Sequence, residues 1–107
     1  MKTRFIIIGF GWRADFFYRI AKMMPERFEI SAGVLRTKQR AEEVAEKEGV
    51  YATENLDEAL KTNPDFAVLC VPRTIVKEYL VRLMEAGLPI LCETPPAQNV
   101  KELCELW

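Results

Sequence analysis

A chain of 107 residues holds one small hydrophobic core and not two. Half of the residues are hydrophobic and 29% are charged, and a net charge of −1 without any Lys/Arg stripe argues against nucleic acid as the main partner. No apolar run approaches the ~20 residues of a membrane span. With no histidine, ordinary zinc sites and Ser-His or Cys-His chemistry are excluded, and no metal-ligand set is read.

The first strand is expected over residues 4–8, apolar without alternation, as in a strand covered on both faces. It runs into Gly9-Phe10-Gly11-Trp12-Arg13-Ala14, a Gly-x-Gly-x-x-Ala spacing between a strand and a helix. Such a turn aims unpaired backbone N–H groups and the positive end of the helix dipole at one point, which suits a phosphate. The pattern gains weight from opening a βαβ series. The plainer alternative is a strand-to-helix turn with incidental glycines.

The helix is expected over 13–23, with Phe17, Ile20, Ala21 and Met24 on its apolar face and Pro25 ending it. A second strand follows over 28–35, where Phe28, Ile30, Ala32 and Val34 alternate with Glu29, Ser31 and Gly33. Thr37 caps a helix running to about Glu48, and Gly49 stops it. Residues 50–52 form a short third strand, and Asn55 caps a helix over 56–61 with Glu58 in the capping-box position. The fourth strand spans 66–71. A strong helix over 74–86 buries Ile75, Val76, Tyr79, Leu80, Leu83 and Met84, and Gly87 ends it. Residues 89–92 make a fifth strand and Glu93-Thr94-Pro95-Pro96 an irregular turn. Asn99 then caps a last helix with Val100, Leu103, Cys104 and Trp107 on one side.

Strands alternating with helices predict an α/β fold: a three-layer, Rossmann-like, doubly wound parallel sheet of about five strands with helices on both faces. A fold of this kind normally continues to a sixth strand, so residues 1–107 are expected to be the front part of something longer. No targeting segment is read. Cys70, Cys92 and Cys104 are odd in number and widely spaced, with Cys70 and Cys92 expected as small buried thiols in a reducing cytoplasm.

In nucleotide binders of this type an acid ending the second strand binds the adenosine ribose. Here that end reads Val34-Leu35-Arg36-Thr37, and Glu29 begins the same strand roughly 20 Å away at ~3.3 Å per residue. A guanidinium at Arg36, with Thr37, Lys38 and Arg40 behind it, favours a 2′-phosphate and so NADP over NAD. The alternative is a solvated arginine at a helix start. Val71-Pro72 leaves the fourth strand at the carboxyl edge, where it would line the nicotinamide-ribose side. Arg13 is expected to serve a phosphate or the adenine edge, and Arg73 to face solvent.

The series Gly9-Phe10-Gly11, Val71-Pro72, Glu85-Ala86-Gly87 and Leu91-Cys92-Glu93-Thr94-Pro95 resembles the amino-terminal NAD(P)-binding domain of the Gfo/Idh/MocA oxidoreductases, named for glucose–fructose oxidoreductase and inositol dehydrogenase. The resemblance spans nearly the whole chain, most specifically from Ala86 to Pro95. It implies a two-domain enzyme moving hydride between NAD(P) and a sugar, cyclitol or related substrate. Its second domain would supply much of the substrate site and the oligomer contacts. The family's Glu-Lys-Pro signature reads Glu93-Thr94-Pro95 here, and Val76 stands where the family often has histidine. Lysine can donate a proton and hold charge beside an alkoxide; the Thr94 hydroxyl cannot supply that charge.

The cofactor-binding set expected on these grounds is Gly9, Phe10, Gly11, Trp12, Arg13, Arg36, Thr37, Val71, Pro72, Glu93 and Thr94, with the catalytic residue unassigned. Alone, the chain is expected to bind dinucleotide without turnover, since half of a hydride-transfer site lacks the positioning that makes reaction frequent. A different class of protein also fits: a sensor that keeps the fold and the dinucleotide but has lost catalysis. A third reading is a scaffold domain that binds no nucleotide. An apolar face including Leu106 and Trp107 would be open to self-association into homo-oligomers.

Overall fold

A computed structural model describes residues 2–9, 11–72, 74–92 and 99–106. Five parallel strands, β1 (Thr3–Ile8), β2 (Phe28–Val34), β3 (Ala52–Thr53), β4 (Phe66–Leu69) and β5 (Ile90–Cys92), lie in the order β3-β2-β1-β4-β5. The helices α1 (Trp12–Met23), α2 (Lys38–Glu48), α3 (Leu56–Leu60), α4 (Val76–Glu85) and α5 (Val100–Leu106) alternate with them. Strand order reverses between β1 and β4, because the chain returns to the sheet centre after laying down β3 at one edge.

Two apolar layers explain why β1 carries no polar alternation. Phe5 and Ile7 pack with Ala14 and Tyr18 of α1 and with Ala41 and Val44 of α2. Ile6 and Ile8 point the other way, toward Leu56 and Ala59 of α3 and Val76, Leu80 and Leu83 of α4. Helices thus cover both faces, as a sheet buried on both sides requires. Phe5 is fixed further by stacking on Phe66 at 5.0 Å and meeting Phe28 edge-on at 6.1 Å.

The alternation expected along β2 breaks in its middle. Phe5 pairs with Ile30, but the next residue, Ile6, pairs with Ala32, so Ser31 is an extra residue in the ladder. Phe28 and Ile30 consequently pack with the α1–α2 layer, while Ala32 and Val34 belong to the α3–α4 layer. A one-residue irregularity exchanges faces because side chains alternate with a period of two. The inserted Ser31 is not an orphan: its Oγ accepts a 2.7 Å hydrogen bond from the Thr62 hydroxyl beyond α3.

Helix ends follow local chemistry. Thr37 Oγ1 accepts from Arg40 N at 3.2 Å, and Gly49 terminates α2 in the left-handed region at φ 67°. Asn55 Oδ1 caps α3 through Asp57 N at 2.8 Å. The reciprocal half of the expected capping box is relayed: Asn55 N donates to Thr53 Oγ1, whose hydroxyl donates to Glu58 Oε2 at 2.9 Å. On α4 the buried line is Val76, Leu80 and Leu83; Met84, expected inside, is exposed.

Three further expectations are corrected. On α1 the deepest residues are Ala14 and Tyr18, while Ile20 is exposed together with Trp12, Phe16 and Met23. The aromatic ring of Tyr18 reaches the sheet because Gly33 leaves room: a Cβ at Gly33 would lie 2.6 Å from the Tyr18 hydroxyl. On α5 no residue is buried; Val100, Leu103 and Cys104 face outward and Leu106 alone packs toward the core, while Trp107 lies outside the described residues. A Lys77–Glu105 ion pair ties α5 to α4. Cys70 and Cys92 are half-buried rather than buried, because both sit at strand ends near the open edge of the sheet.

Candidate functional site: a cleft at the strand-order reversal

Ile8 is the last residue of β1, and Gly9 turns the chain toward α1. Gly9 N donates to Val34 O and Cys70 N donates to Ile8 O, both at 2.8 Å, so the carboxyl ends of β2, β1 and β4 are locked side by side. At φ 109°, Gly9 occupies backbone space that other residues rarely adopt, and a Cβ there would meet Cys70 O at 2.1 Å. Gly11 differs. Its backbone is extended, and a Cβ would find nothing within 4 Å among the described residues.

That pair of observations is what a dinucleotide turn requires. The first glycine serves the protein's own tight turn, and the second leaves open space where a ligand backbone could approach. Ala14, fully buried, takes the third position and lets α1 lie close on the sheet. Among the described residues no side chain caps α1 at Gly11, and a helix start of this kind suits a ligand's phosphate. The residues present therefore fit a pyrophosphate.

Beside Gly9 opens a cleft of about 390 Å³. One wall is the corner from β2 into α2, with Leu35, Arg36, Thr37 and Arg40; the other is the corner from β4 into α4, with Val71, Pro72, Ile75 and Tyr79. Five expected site residues, Gly9, Arg36, Thr37, Val71 and Pro72, thus surround one space. Among the described residues no carboxylate pairs with Arg36, and the Thr37 hydroxyl is engaged in capping α2. No acid ends β2, in keeping with Leu35-Arg36.

Trp12 and Arg13 stand outside this cleft. The Arg13 guanidinium lies 4.5 Å from the centre of the Trp12 ring, and Trp12 meets Phe16 edge-on at 5.8 Å. Arg13 instead lines a neighbouring groove of about 510 Å³ between α1 and the β4–β5 edge, with Phe16, Ile20, Cys70, Leu91 and Cys92. Phe10, Arg73, Glu93 and Thr94 lie outside the described residues. Ile75 and Tyr79 are the cleft residues that sequence reasoning assigned to core packing. Their i, i+4 spacing directly after Val71-Pro72 was the available signal.

Away from the cleft, between α1 and α2, Glu48 is buried at its side chain and binds Lys22 Nζ through Oε1 at 2.9 Å. Glu48 Oε2 and the Tyr18 hydroxyl, also buried, have no hydrogen-bond partner among the described residues. Burial drives the Tyr18 phenol well above its ordinary range, and the nearby Glu48 and Cys70 charges add to that. No group of three or more metal-ligating side chains is assembled among the described residues. None of their helices is long and apolar enough to cross a membrane.

An all-parallel sheet in this order, with a glycine turn at the reversal point, defines a doubly wound dinucleotide-binding domain. The Gfo/Idh/MocA family, described as "Oxidoreductase family, NAD-binding Rossmann fold", matches residues 3–107, and the chain belongs to it. It is 35% identical over 105 residues to scyllo-inositol 2-dehydrogenase (NADP(+)) IolU of Bacillus subtilis (strain 168), covering 96% of this chain and 32% of that protein. It is 29% identical over 107 residues to D-glucoside 3-dehydrogenase of Escherichia coli (strain K12), covering 95% and 30%. The WlbA dehydrogenase from Bordetella pertussis, solved in complex with NADH and UDP-GlcNAcA, superposes with a TM-score of 0.87 at 19% identity over 99% of this chain and 33% of that one. The chain spans about a third of the length of these relatives.

Proposed function

We propose that this domain binds NADP in preference to NAD and serves an oxidoreductase that transfers hydride between the nicotinamide and a sugar, cyclitol or related polyol. The observation that carries the preference is Arg36: it lines the cleft at the end of β2, without a carboxylate partner among the described residues, where an NAD-selective domain would place an acid. A 2′-phosphate there gains a charge-assisted, bidentate contact that a ribose hydroxyl cannot make. The NADP dependence in the name of the Bacillus relative supports this reading.

In this proposal Gly9, Phe10, Gly11, Trp12 and Arg13 hold the pyrophosphate turn, Arg36 and Thr37 the adenosine ribose, and Val71, Pro72, Glu93 and Thr94 the nicotinamide side. The bound dinucleotide supplies the hydride chemistry; the chain's own groups bind and orient it. Hydride transfer belongs to a longer, two-domain protein in the cytoplasm, whose second part completes the substrate site and oligomer contacts. Titration with NADPH and NADH, followed by protection of the amides over residues 9–14, tests the binding. Tighter NADPH binding supports the proposal, and no protection by either cofactor overturns it.

A second reading is favoured by one feature, Thr94 in place of the family's lysine. It makes the protein a dinucleotide-binding sensor without turnover. Nicotinamide absorbance changes on a panel of sugars and cyclitols, catalysed by a longer form of the protein, would exclude the sensor.

A further inference from the structure

Helix α1 is apolar on two sides, and the core uses one of them. Ala14, Tyr18 and Ala21 pack inward. On the other side Trp12, Phe16, Ile20 and Met23, at spacings i, i+4, i+8 and i+11, form one exposed stripe along the helix. Trp12 is 68% and Met23 80% exposed, more than isolated surface contacts of an inward-facing helix would leave. The stripe continues across the groove lined by Phe16 and Ile20 to Leu91 of β5, which is also exposed. Its aromatic end is ordered: Trp12 meets Phe16 edge-on at 5.8 Å, and the Arg13 guanidinium lies 4.5 Å from the centre of the Trp12 ring. Rings already held in place lose little freedom when another surface settles on them.

We propose that this face of α1 is a homodimer interface, on which a second copy of the chain packs its own α1 antiparallel about a two-fold axis. The inference goes beyond the dinucleotide reading and uses no residue of the cleft. What selects a second copy is the order of the stripe. Phe16 and Ile20 are equidistant from Tyr18 along the helix, and Trp12 and Met23 nearly so. A two-fold axis passing beside Tyr18 therefore sets Phe16 of each chain on Ile20 of the other, and Trp12 on Met23, where a thioether against a ring is favourable. Arg19, bound to Asp15 at 2.9 Å and mostly exposed, edges the stripe, and the same axis offers it the Asp15 of the second copy. Area agrees: with large side chains burying about 150–250 Å² each, the stripe and Leu91 leave on the order of 500 Å² open per chain. Two such faces together bury on the order of 1,000 Å², the area at which a specific interface holds.

Sedimentation velocity of the chain over a range of concentrations is the test. The mass should rise from 12.4 kDa toward twice that value as concentration increases. Phe16→Glu and, separately, Met23→Lys should each raise the dimer dissociation constant at least about tenfold, because each places a charge in an apolar contact. Both positions are exposed, so circular dichroism of the two variants should match the parent. Leu103→Glu, on the other exposed apolar helix, α5, should leave the dissociation constant within about twofold. In a mixture of isotopically labelled and unlabelled chains, nuclear Overhauser contacts between the Trp12 ring and the Met23 methyl of the other copy fix the pairing without any substitution. A chain that stays monomeric overturns the proposal. So does a dimer that Leu103→Glu disrupts and Phe16→Glu does not, or a dimer without the Trp12–Met23 contact between copies.

Discussion

Gly9 and Cys70 approach so closely that a methyl group on Gly9 would sit 2.1 Å from the Cys70 carbonyl oxygen. This contact joins the glycine turn after β1 to the end of β4, the two strands between which the order of the sheet reverses. The cleft beside it exists because both chains leave the sheet there in opposite directions. A close backbone approach is therefore part of how the site is made.

The two glycines should respond differently to substitution. Gly9→Ala forces a backbone clash at positive φ and is expected to cost about 2–4 kcal/mol of stability. Gly11→Ala meets nothing within 4 Å among the described residues and should change stability by no more than about 0.5 kcal/mol, while weakening NADPH binding at least about tenfold. Chemical denaturation and nucleotide titration of both variants check the contrast. Equal destabilisation by the two would contradict it.

Arg36→Ala should remove the preference for NADPH while leaving NADH binding within about twofold. The expected loss is tenfold or more, or about 1.4 kcal/mol at the least. Calorimetric titration with both cofactors decides it; parallel weakening of the two would assign Arg36 to something other than the 2′-phosphate.

Tyr18→Phe removes a buried hydroxyl that has no partner among the described residues. Deleting an unsatisfied buried polar atom should leave stability unchanged or raise it by about 1 kcal/mol. The pH dependence should also differ. Burial raises the folded-state phenol above its ordinary value near 10, so the unfolded chain loses that proton first. Above about pH 10 the parent should lose stability relative to Tyr18→Phe, by up to about 1.4 kcal/mol per pH unit, and below it the difference should be constant. Parallel unfolding curves at pH 9 and above about pH 10 would show that the phenol titrates alike in both states.

Thr53→Val takes away the hydroxyl that links Asn55 N to Glu58 Oε2. Two hydrogen bonds at the start of α3 are lost, with an expected cost of about 1–2 kcal/mol. Glu58→Gln keeps an acceptor for Thr53 and should cost less. Thermal unfolding of the two variants ranks them.

The helix and strand sequence was legible because each signal is local. Thr37, Gly49 and Asn55 act on backbone groups within a few residues, and the uninterrupted apolar run of β1 records burial on both faces. Gly9, Leu35-Arg36 and Val71-Pro72 located the floor and both walls of the cleft for the same reason: turn chemistry and strand ends are written in neighbouring residues. What the sequence could not express were the face exchange in β2 and the capping relay through Thr53. The first depends on pairing with β1, 25 or so positions away, and the second on a hydroxyl arriving from the preceding strand. Tyr18 and Tyr79 make the same point from opposite sides. Tyr18 goes inside only because Gly33 of β2 leaves a hole, and Tyr79 reaches the cleft only because the β4–α4 corner lies across it from the β2–α2 corner. By itself the sequence determined the elements, their parallel order and the ligand class suited to the glycine turn, since those follow from periodicity, caps and local charge. Only the tertiary structure decided which side of each element meets the core and which meets the cleft, because burial is shared between residues far apart in the chain.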